Sequence, residues 1–184
     1  EADSQVQSSN IAMATIFSPH QEKILNALQY QGQRNDCGPF TTATVINALR
    51  GLNLDAIQLS DEMDKPVWRG IVYVVRRIPD WATFPWGMVD VFRSYGLSAR
   101  WRPFATTQYL KDTLPQGITL MPIIGEWRPS AWAHVMTLVA WDEALGWGFA
   151  NTQYNHHHID WHPNEQFLHQ WKAMGHLLVE VFNT

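Results

Sequence analysis

The chain has 184 residues, of which 46% are hydrophobic and 16% are charged, and its formal net charge is −4. This composition is typical of a single globular domain that buries a sizeable core, and it argues against a disordered chain. The arginines, Arg76 and Arg77 among them, form no basic run; they are predicted to lie on a solvated surface, and no nucleic-acid partner is indicated. The two most apolar stretches, residues 118–124 and 131–141, are too short to cross a bilayer and are typical of buried strands.

The start of the chain is polar, and residues 1–20 are predicted to form a flexible leader or tether ahead of a single domain at residues 21–184. The chain begins with Glu1 and not with methionine, which indicates a processed or trimmed start. Such a start is compatible with a tether left after export and also with a simple fragment boundary. The location is therefore predicted as exported or envelope-associated, or otherwise as cytoplasmic.

The first half of the chain is predicted to be mainly helical. Residues 24–30 form an extended or helical lead-in, and apolar residues at helical spacing then predict a helix over residues 38–49, with Gly51 just past its end. Residues 66–85, with their tryptophans and prolines, fit no regular pattern. The other predicted elements are helices over residues 54–63 and 86–95 and a strand over residues 97–102.

The second half is predicted to be mainly strands. A turn at residues 142–146 joins two of them as a hairpin, and Thr106 is the expected N-cap of a short helix. The predicted elements are strands over residues 118–124, 133–141, 147–151 and 177–182 and helices over residues 107–114 and 164–171. Helices first and strands later predict an α+β fold, with helices packed on one side of an antiparallel sheet.

Cys37 is the single cysteine, so no internal disulfide can form. A lone cysteine is often an inert buried residue. Cys37, however, follows a polar loop and begins a predicted helix, where unpaired backbone N–H groups and the positive end of the helix dipole stabilise a thiolate. Pro39 suits the first helical turn. The surroundings of Cys37 therefore indicate an activated thiol.

A thiolate that attacks an amide also needs a base and a donor for the oxyanion. Gln31, six residues before Cys37, is one candidate donor, and Gln33 is the competing one; either is also compatible with an ordinary loop glutamine. His134 opens an apolar strand, where it is either the base or a core histidine satisfied by a carbonyl group.

Asn151 ends the next predicted strand, seventeen residues after His134. If the two strands pair as a hairpin, His134 and Asn151 meet at its open end, where an amide oxygen can fix the imidazole tautomer. Asp142 lies at the opposite end of this hairpin and is predicted to be a turn residue.

These motifs in this order resemble the papain-like bacteriocin-processing peptidases, which cut leader peptides after a double glycine, and their stand-alone bacterial relatives. The resemblance covers residues 31–182. It implies a papain-like fold in which an N-terminal helical part carrying the nucleophile packs against a C-terminal antiparallel β-sheet. Many of these relatives carry aspartate, usually before proline, where this chain has Asn151 and Thr152, whereas papain itself uses asparagine in that role.

The resemblance also implies a role for each site residue. Cys37 is the nucleophile, His134 the base, Gln31 the oxyanion-hole donor and Asn151 the orienting group. The implied activity is thiol-dependent hydrolysis of a peptide or protein substrate through a covalent acyl-enzyme, without a cofactor. An acyl transferase of the transglutaminase type and a non-catalytic papain-like binding module are the alternatives. The sequence does not indicate the oligomeric state.

Two conspicuous features are left outside this site. Residues 155–162 contain four histidines and an aspartate, side chains that suit zinc, but no recognised ligand spacing supports a metal site, so a rim loop is predicted and no metal is assigned. The ten tryptophans are predicted to be mostly core and sheet-packing residues. Trp127 and Trp132 precede His134, and both are candidates to line a substrate cleft.

Overall fold

The computed structural model of the protein describes residues 15–182, so residues 1–14 of the leader predicted over residues 1–20 lie outside the described residues. The helices are α1 Gln21–Asn26, α2 Cys37–Arg50, α3 Ala56–Met63, α4 Pro85–Ser94, α5 Thr107–Thr113 and α6 Asn164–Ala173, with a short 3-10 helix at Leu114–Gln116. The strands are β1 Ile16–Phe17, β2 Val67–Arg69, β3 Val72–Val74, β4 Arg77–Ile78, β5 Ala82–Thr83, β6 Ser98–Arg102, β7 Thr119–Glu126, β8 Trp132–Val135, β9 Thr137–Asp142, β10 Gly146–Ala150, β11 Asp160–His162 and β12 Leu178–Phe182.

One antiparallel sheet organises the chain. Its strands follow the order β11-β10-β9-β7-β12-β6, with β1 paired to β9 and β8 paired to β7. The sheet therefore already includes Ile16 and Phe17, which fall within the predicted leader. The remaining strands form two short hairpins, β2–β3 and β4–β5.

The predicted helices all form, and their ends follow from local chemistry. Gly51 adopts a left-handed conformation, with φ of 64°, and closes α2, as a C-terminal glycine commonly does. Asp55 caps α3 by accepting hydrogen bonds from two backbone N–H groups. The Thr106 hydroxyl accepts from the backbone N–H of Tyr109 and caps α5, which confirms the predicted N-cap.

The strand predicted over residues 133–141 is in fact two strands, β8 and β9, which meet at Met136. The break lies next to Val135, whose carbonyl oxygen accepts a hydrogen bond from the Thr41 hydroxyl of α2 at 3.1 Å. A side chain from another element thus binds the backbone at the point where the strand is interrupted.

Helices cover both faces of the sheet, and not one face as predicted. Alternate residues of β7 point to opposite faces: Met121 packs in the core formed with α2, α3 and α4, whereas Leu120 packs in the core formed with α5 and α6. A strand as apolar as β7 would expose a hydrophobic face if helices lay on one side alone. Within residues 15–182, no helix is long and apolar enough to span a membrane.

Candidate active site

Cys37 is the first residue of α2, and it lies where the N–H groups of the first turn have no helical acceptor. The side chain is half-buried. The next residue must be small, because a Cβ atom on Gly38 would lie 2.4 Å from the Cβ atom of Thr83 in β5. The start of α2 and the β4–β5 hairpin therefore fit together only with glycine at this position.

His134 lies on β8, opposite Ile124 of β7, and is only 5% exposed. Because the Thr41 hydroxyl of α2 binds the carbonyl of the neighbouring Val135, the strand that carries His134 is attached to the helix that carries Cys37. The side chains of Cys37 and His134 line the same small cavity, and each shifts the pKa of the other.

Asn151 directly follows β10, and the structure brings it to His134. The Asn151 Oδ1 atom lies 2.8 Å from Nε2 of His134, and it also accepts from the backbone N–H of Gln153 at 3.1 Å. An amide oxygen can only accept, so Nε2 of the imidazole carries the proton. Nδ1 is then the nitrogen left for the thiol of Cys37.

A β-bulge in the β9–β10 hairpin, which was not predicted from the sequence, helps this approach. The pairing of Gly148 with Ala140, if continued without a break, would place Ala150 opposite Leu138. The register shifts after Gly148, and Ala150 instead pairs with Thr137. Asn151 is thereby moved one residue closer to His134 along the partner strand.

The electrostatics of this buried pair favour the charged forms of both groups. Burial raises the pKa of the Cys37 thiol, but the hydrogen bond and charge of His134 and the backbone hydrogen bonds from Val135 and Gly38 lower it more, so the pKa lies below its ordinary value. Burial lowers the pKa of His134, but Cys37 and then Asn151 and Asp160 raise it above its ordinary value. The two shifts have the directions that favour a thiolate–imidazolium pair.

The two competing glutamines differ sharply in their surroundings. Gln31 is 5% exposed; its Oε1 accepts from the Thr152 hydroxyl at 2.6 Å and its Nε2 donates to the carbonyl of Arg34 at 2.8 Å. The backbone N–H of Gln31 also donates to the carbonyl of Thr152, at 2.9 Å. Gln33 is exposed. Since Thr152 follows Asn151, Gln31 is tied to the strand end that carries Asn151.

The residue before Cys37 is held by a buried ion pair that sequence analysis missed. Asp36 is 1% exposed, and its carboxylate lies 2.7 Å from Arg77 of β4 and 2.5 Å from Arg34. Burial raises the pKa of Asp36, but the hydrogen bonds from Arg77 and Arg34 lower it more. The surface location predicted for Arg76 and Arg77 is wrong, because both are buried; each arginine has carboxylate partners.

A small cavity of about 50 Å³ adjoins Cys37 and His134. The turn of the β4–β5 hairpin contributes Trp81 to its lining and β8 contributes Ala133. Trp127 and Trp132, which were predicted as cleft candidates, are not among the lining residues. The prediction that most tryptophans lie in the core is wrong: six of the ten are exposed, namely Trp68, Trp81, Trp86, Trp101, Trp127 and Trp132.

The histidine-rich segment forms several separate contacts. The rings of His156 and His158 stack, with centroids 5.6 Å apart, and Nδ1 of His157 lies 2.6 Å from the carbonyl oxygen of Leu25 in α1. His162 lies against Asp160. Within residues 15–182, no group of three or more His, Cys, Asp or Glu side chains is placed to hold a metal ion.

Asp160 is the neighbour of the site that sequence analysis overlooked, since it was considered only together with the histidine run. Its carboxylate Oδ2 accepts from Nδ2 of Asn151 at 2.7 Å. The available signal was its spacing from His162, because residues two apart on a strand share a face. The sequence alone did not reveal that this strand lies beside β10.

Comparisons with known proteins bear on the fold. No protein-family model and no curated protein sequence matches the chain, whereas nine chains of solved structures do. One is a candidate C39-like peptidase from Bacillus anthracis, with a TM-score of 0.64 and 13% sequence identity, over 85% of this chain and 95% of that chain. The chain therefore shares the mixed helix and antiparallel-sheet fold of that protein, in keeping with the papain-like α+β class.

Proposed function

We propose that this protein is a cysteine peptidase in which Cys37 is the nucleophile, His134 the general base and acid, Asn151 the group that orients His134, and Gln31 an oxyanion donor. The observation that carries the proposal is that Cys37 and His134 line one small cavity while His134 is hydrogen-bonded to Asn151; the lowered pKa of the thiol and the raised pKa of the imidazole agree with it. The fold that the chain shares with a candidate C39-like peptidase supports the same reaction class.

In the acylation step, the Cys37 thiolate attacks the carbonyl carbon of a peptide bond and a C–S bond forms. Negative charge moves to the carbonyl oxygen, where the backbone N–H of Cys37 and the Nε2 amide of Gln31 can donate. The imidazolium of His134 then gives its Nδ1 proton to the departing amine. The C–N bond breaks, and the acyl group remains on Cys37 as a thioester.

In the deacylation step, water attacks the thioester while Nδ1 of His134 accepts the proton of that water. The C–S bond breaks, the acid product leaves, and the thiolate–imidazolium pair is restored. Asn151 keeps Nε2 of His134 protonated through both steps, so Nδ1 is the nitrogen that exchanges the proton. No step in this sequence needs a cofactor.

The test is to incubate the protein with a mixture of unstructured peptides and to identify the products by mass spectrometry. We expect cleavage by the wild type and none by the folded variant C37A, with Q33A as a control of unchanged activity. Because Cys37 is the single thiol, a trapped acyl adduct that neutral hydroxylamine releases as a thioester must be on Cys37. Cleavage by folded C37A would refute the proposal.

A variation of this test separates the alternatives. An added primary amine should compete poorly with water if the protein is a peptidase, whereas an amide product would indicate an acyl transferase. A protein that binds peptides tightly but gives neither product, and whose Cys37 forms no adduct, would be a binding module.

A further inference from the structure

Asp160 lies directly behind the proposed orienting residue. It opens β11, where it pairs with Phe149 of β10, and Asn151 follows two residues after Phe149. The carboxylate Oδ2 of Asp160 receives two hydrogen bonds, from Nδ2 of Asn151 at 2.7 Å and from Nε2 of His162 at 2.9 Å. The side chain of Asp160 is 21% exposed, so its charge is only partly screened by solvent.

A carboxylate in this place dictates which way the Asn151 amide points. An ionised carboxylate accepts hydrogen bonds and cannot donate, and only the nitrogen of an amide donates. Asp160 therefore draws Nδ2 of Asn151 toward itself and leaves Oδ1 facing His134. The backbone N–H of Gln153, which donates to the same Oδ1 at 3.1 Å, favours this orientation as well.

The amide orientation in turn selects the imidazole tautomer. With Oδ1 of Asn151 facing Nε2 of His134 at 2.8 Å, Nε2 must carry a proton. A reversed amide would present N–H groups to Nε2 and place the proton on Nδ1, where neutral His134 could no longer accept the proton of Cys37. Two hydrogen bonds, from Asn151 to Asp160 and from His134 to Asn151, thus leave Nδ1 of neutral His134 free to accept a proton.

His162 is the second hydrogen-bond donor to Asp160, through its Nε2 atom. Nδ1 of His162 is buried and has no hydrogen-bond partner among residues 15–182. The other titratable groups that act on this carboxylate are His134 on β8 and His156 in the preceding loop.

We propose that Asp160 is a positioning residue of the site: it fixes the Asn151 amide and supplies, through that amide, the negative charge that asparagine lacks. The role rests on the proposed function of the Cys37–His134 pair. It also gives a physical reason why asparagine can stand where many similar peptidases carry aspartate. The negative charge is on Asp160, which is hydrogen-bonded to Asn151, and not on residue 151 itself.

The test measures the pH dependence of Cys37 alkylation by iodoacetamide, which needs no substrate and reports on the single thiol. D160N removes the charge with little change in shape, and we expect the alkylation midpoint to move to higher pH, in the same direction as in H134A. We expect kcat to fall by about ten- to a hundredfold with KM little changed, the scale known for outer-shell partners of metal-bound histidines.

The matched control is D142N, which removes a buried carboxylate at the turn end of the β9–β10 hairpin, away from Asn151. Asp142 accepts hydrogen bonds from Thr15, Ala144 and Leu145. D142N should lower the melting temperature and leave the alkylation midpoint at the wild-type value. If D160N behaves like D142N, Asp160 is a structural residue and the inference is overturned.

The exchanged pair N151D/D160N is the decisive variant, and it keeps the test meaningful if D160N folds poorly. A carboxylate at position 151 accepts from His134 directly, and an amide at position 160 donates to that carboxylate and accepts from His162. We expect the midpoint to return toward the wild-type pH. If the folded N151D/D160N variant has the same alkylation midpoint as H134A, the inference is overturned. A shifted midpoint in D160N, in a protein that cleaves no peptide, would instead refute the proposed function and leave the role of Asp160 standing.

Discussion

The amides of Gln31 and Asn151 serve the proposed chemistry only when each points one way, because the oxygen of an amide accepts hydrogen bonds and the nitrogen donates them. Each amide has a neighbour that enforces its direction. The Thr152 hydroxyl donates to Oε1 of Gln31, and the Asp160 carboxylate accepts from Nδ2 of Asn151. Consecutive residues, Asn151 and Thr152, therefore link His134 and Gln31, the proposed base and the proposed oxyanion donor.

The first prediction concerns these glutamines. Q31A should lower kcat by about 10²-fold or more, the usual scale for the loss of one oxyanion donor, because Nε2 of Gln31 has a second N–H beyond the one given to Arg34. Q33A, the matched control, should change kcat little because Gln33 is exposed. Steady-state kinetics on one peptide substrate checks both. A larger loss in Q33A than in Q31A would exchange their roles.

The sequence predicted the candidate site residues and their local positions more readily than the contacts between them. The position of Cys37 at a helix start is a local property, and local properties are visible in the chain. The choice between Gln31 and Gln33 is not local, since it depends on a hydroxyl 121 residues away. The contact of Asp160 with Asn151 was missed for the same reason, because it depends on the pairing of β11 with β10.

The β4–β5 hairpin is the element that completes the surroundings of Cys37. It comes from residues 66–85, which carry no regular hydrophobic pattern, and its strands have only two residues each. A buried ion pair between Arg77 and Asp36 and the contact of Thr83 with Gly38 hold it in place. Patterns of apolar residues predict elements that bury a face, and therefore they could not predict this one.

The second prediction tests the fit of this hairpin. G38A adds a Cβ atom that would lie 2.4 Å from the Cβ atom of Thr83, so the hairpin must move away from the start of α2. We expect the free energy of unfolding to fall by about 1–3 kcal/mol, as in other overpacked sites, together with a loss of kcat/KM.

The double variant G38A/T83G removes the obstructing side chain and is the control for this explanation. It should recover part of the stability and part of the activity that G38A loses. Urea unfolding measures the stability, and peptide hydrolysis measures the activity. Equal losses in the single and the double variant would show that contact with Thr83 is not the cause.

The third prediction uses the ion pair of the same hairpin. The pKa of Asp36 in the folded protein lies below its ordinary value, and an unfolded aspartate titrates near about 3.9. Its contribution to stability is therefore complete above the unfolded pKa and is lost as the pH falls through the folded pKa. D36N should be less stable than the wild type by about 3 kcal/mol at neutral pH, the scale for breaking a buried pair.

Urea unfolding at a series of pH values measures this difference, which should narrow as the pH falls below about 4. R34A is the control: it removes the exposed partner of the same carboxylate and should cost no more than about 1 kcal/mol. A gap between D36N and wild type that stays constant down to pH values well below the folded pKa would contradict the assigned role of the Asp36 charge.

At the scale of the whole molecule, the sheet separates the core of α2, α3 and α4 from the core of α5 and α6, and of these two only the first adjoins Cys37. The order of helices and strands along the chain predicted the α+β class, but it did not place α5 and α6 on the opposite face of the sheet. That placement depends on which strands are central. β7 lies between β9 and β12 through pairings with residues elsewhere in the chain, and strand order of this kind is not visible in local patterns.

The last prediction follows from this separation. Trp171, at 0% exposure, fills the core of α5 and α6, and its Nε1 donates to the carbonyl of Leu177 at 2.8 Å. W171A should lower the free energy of unfolding by about 3–5 kcal/mol. Because the sheet lies between Trp171 and the core of α2, the pH midpoint of Cys37 alkylation in the folded variant should equal that of the wild type.

M88A is the counterpart in the other core. Met88 is equally buried, but it packs with α2 and lines the cavity beside Cys37 and His134. M88A should lower the free energy of unfolding by about 2–5 kcal/mol. Because of the cavity contact, it should also change the alkylation midpoint or the KM for peptides. Urea unfolding and alkylation of both variants under identical conditions make the comparison. If W171A shifted the midpoint as far as M88A does, the two cores would be energetically coupled through the sheet, and the thiolate–imidazolium pair would depend on the packing of the whole molecule and not on one face of it.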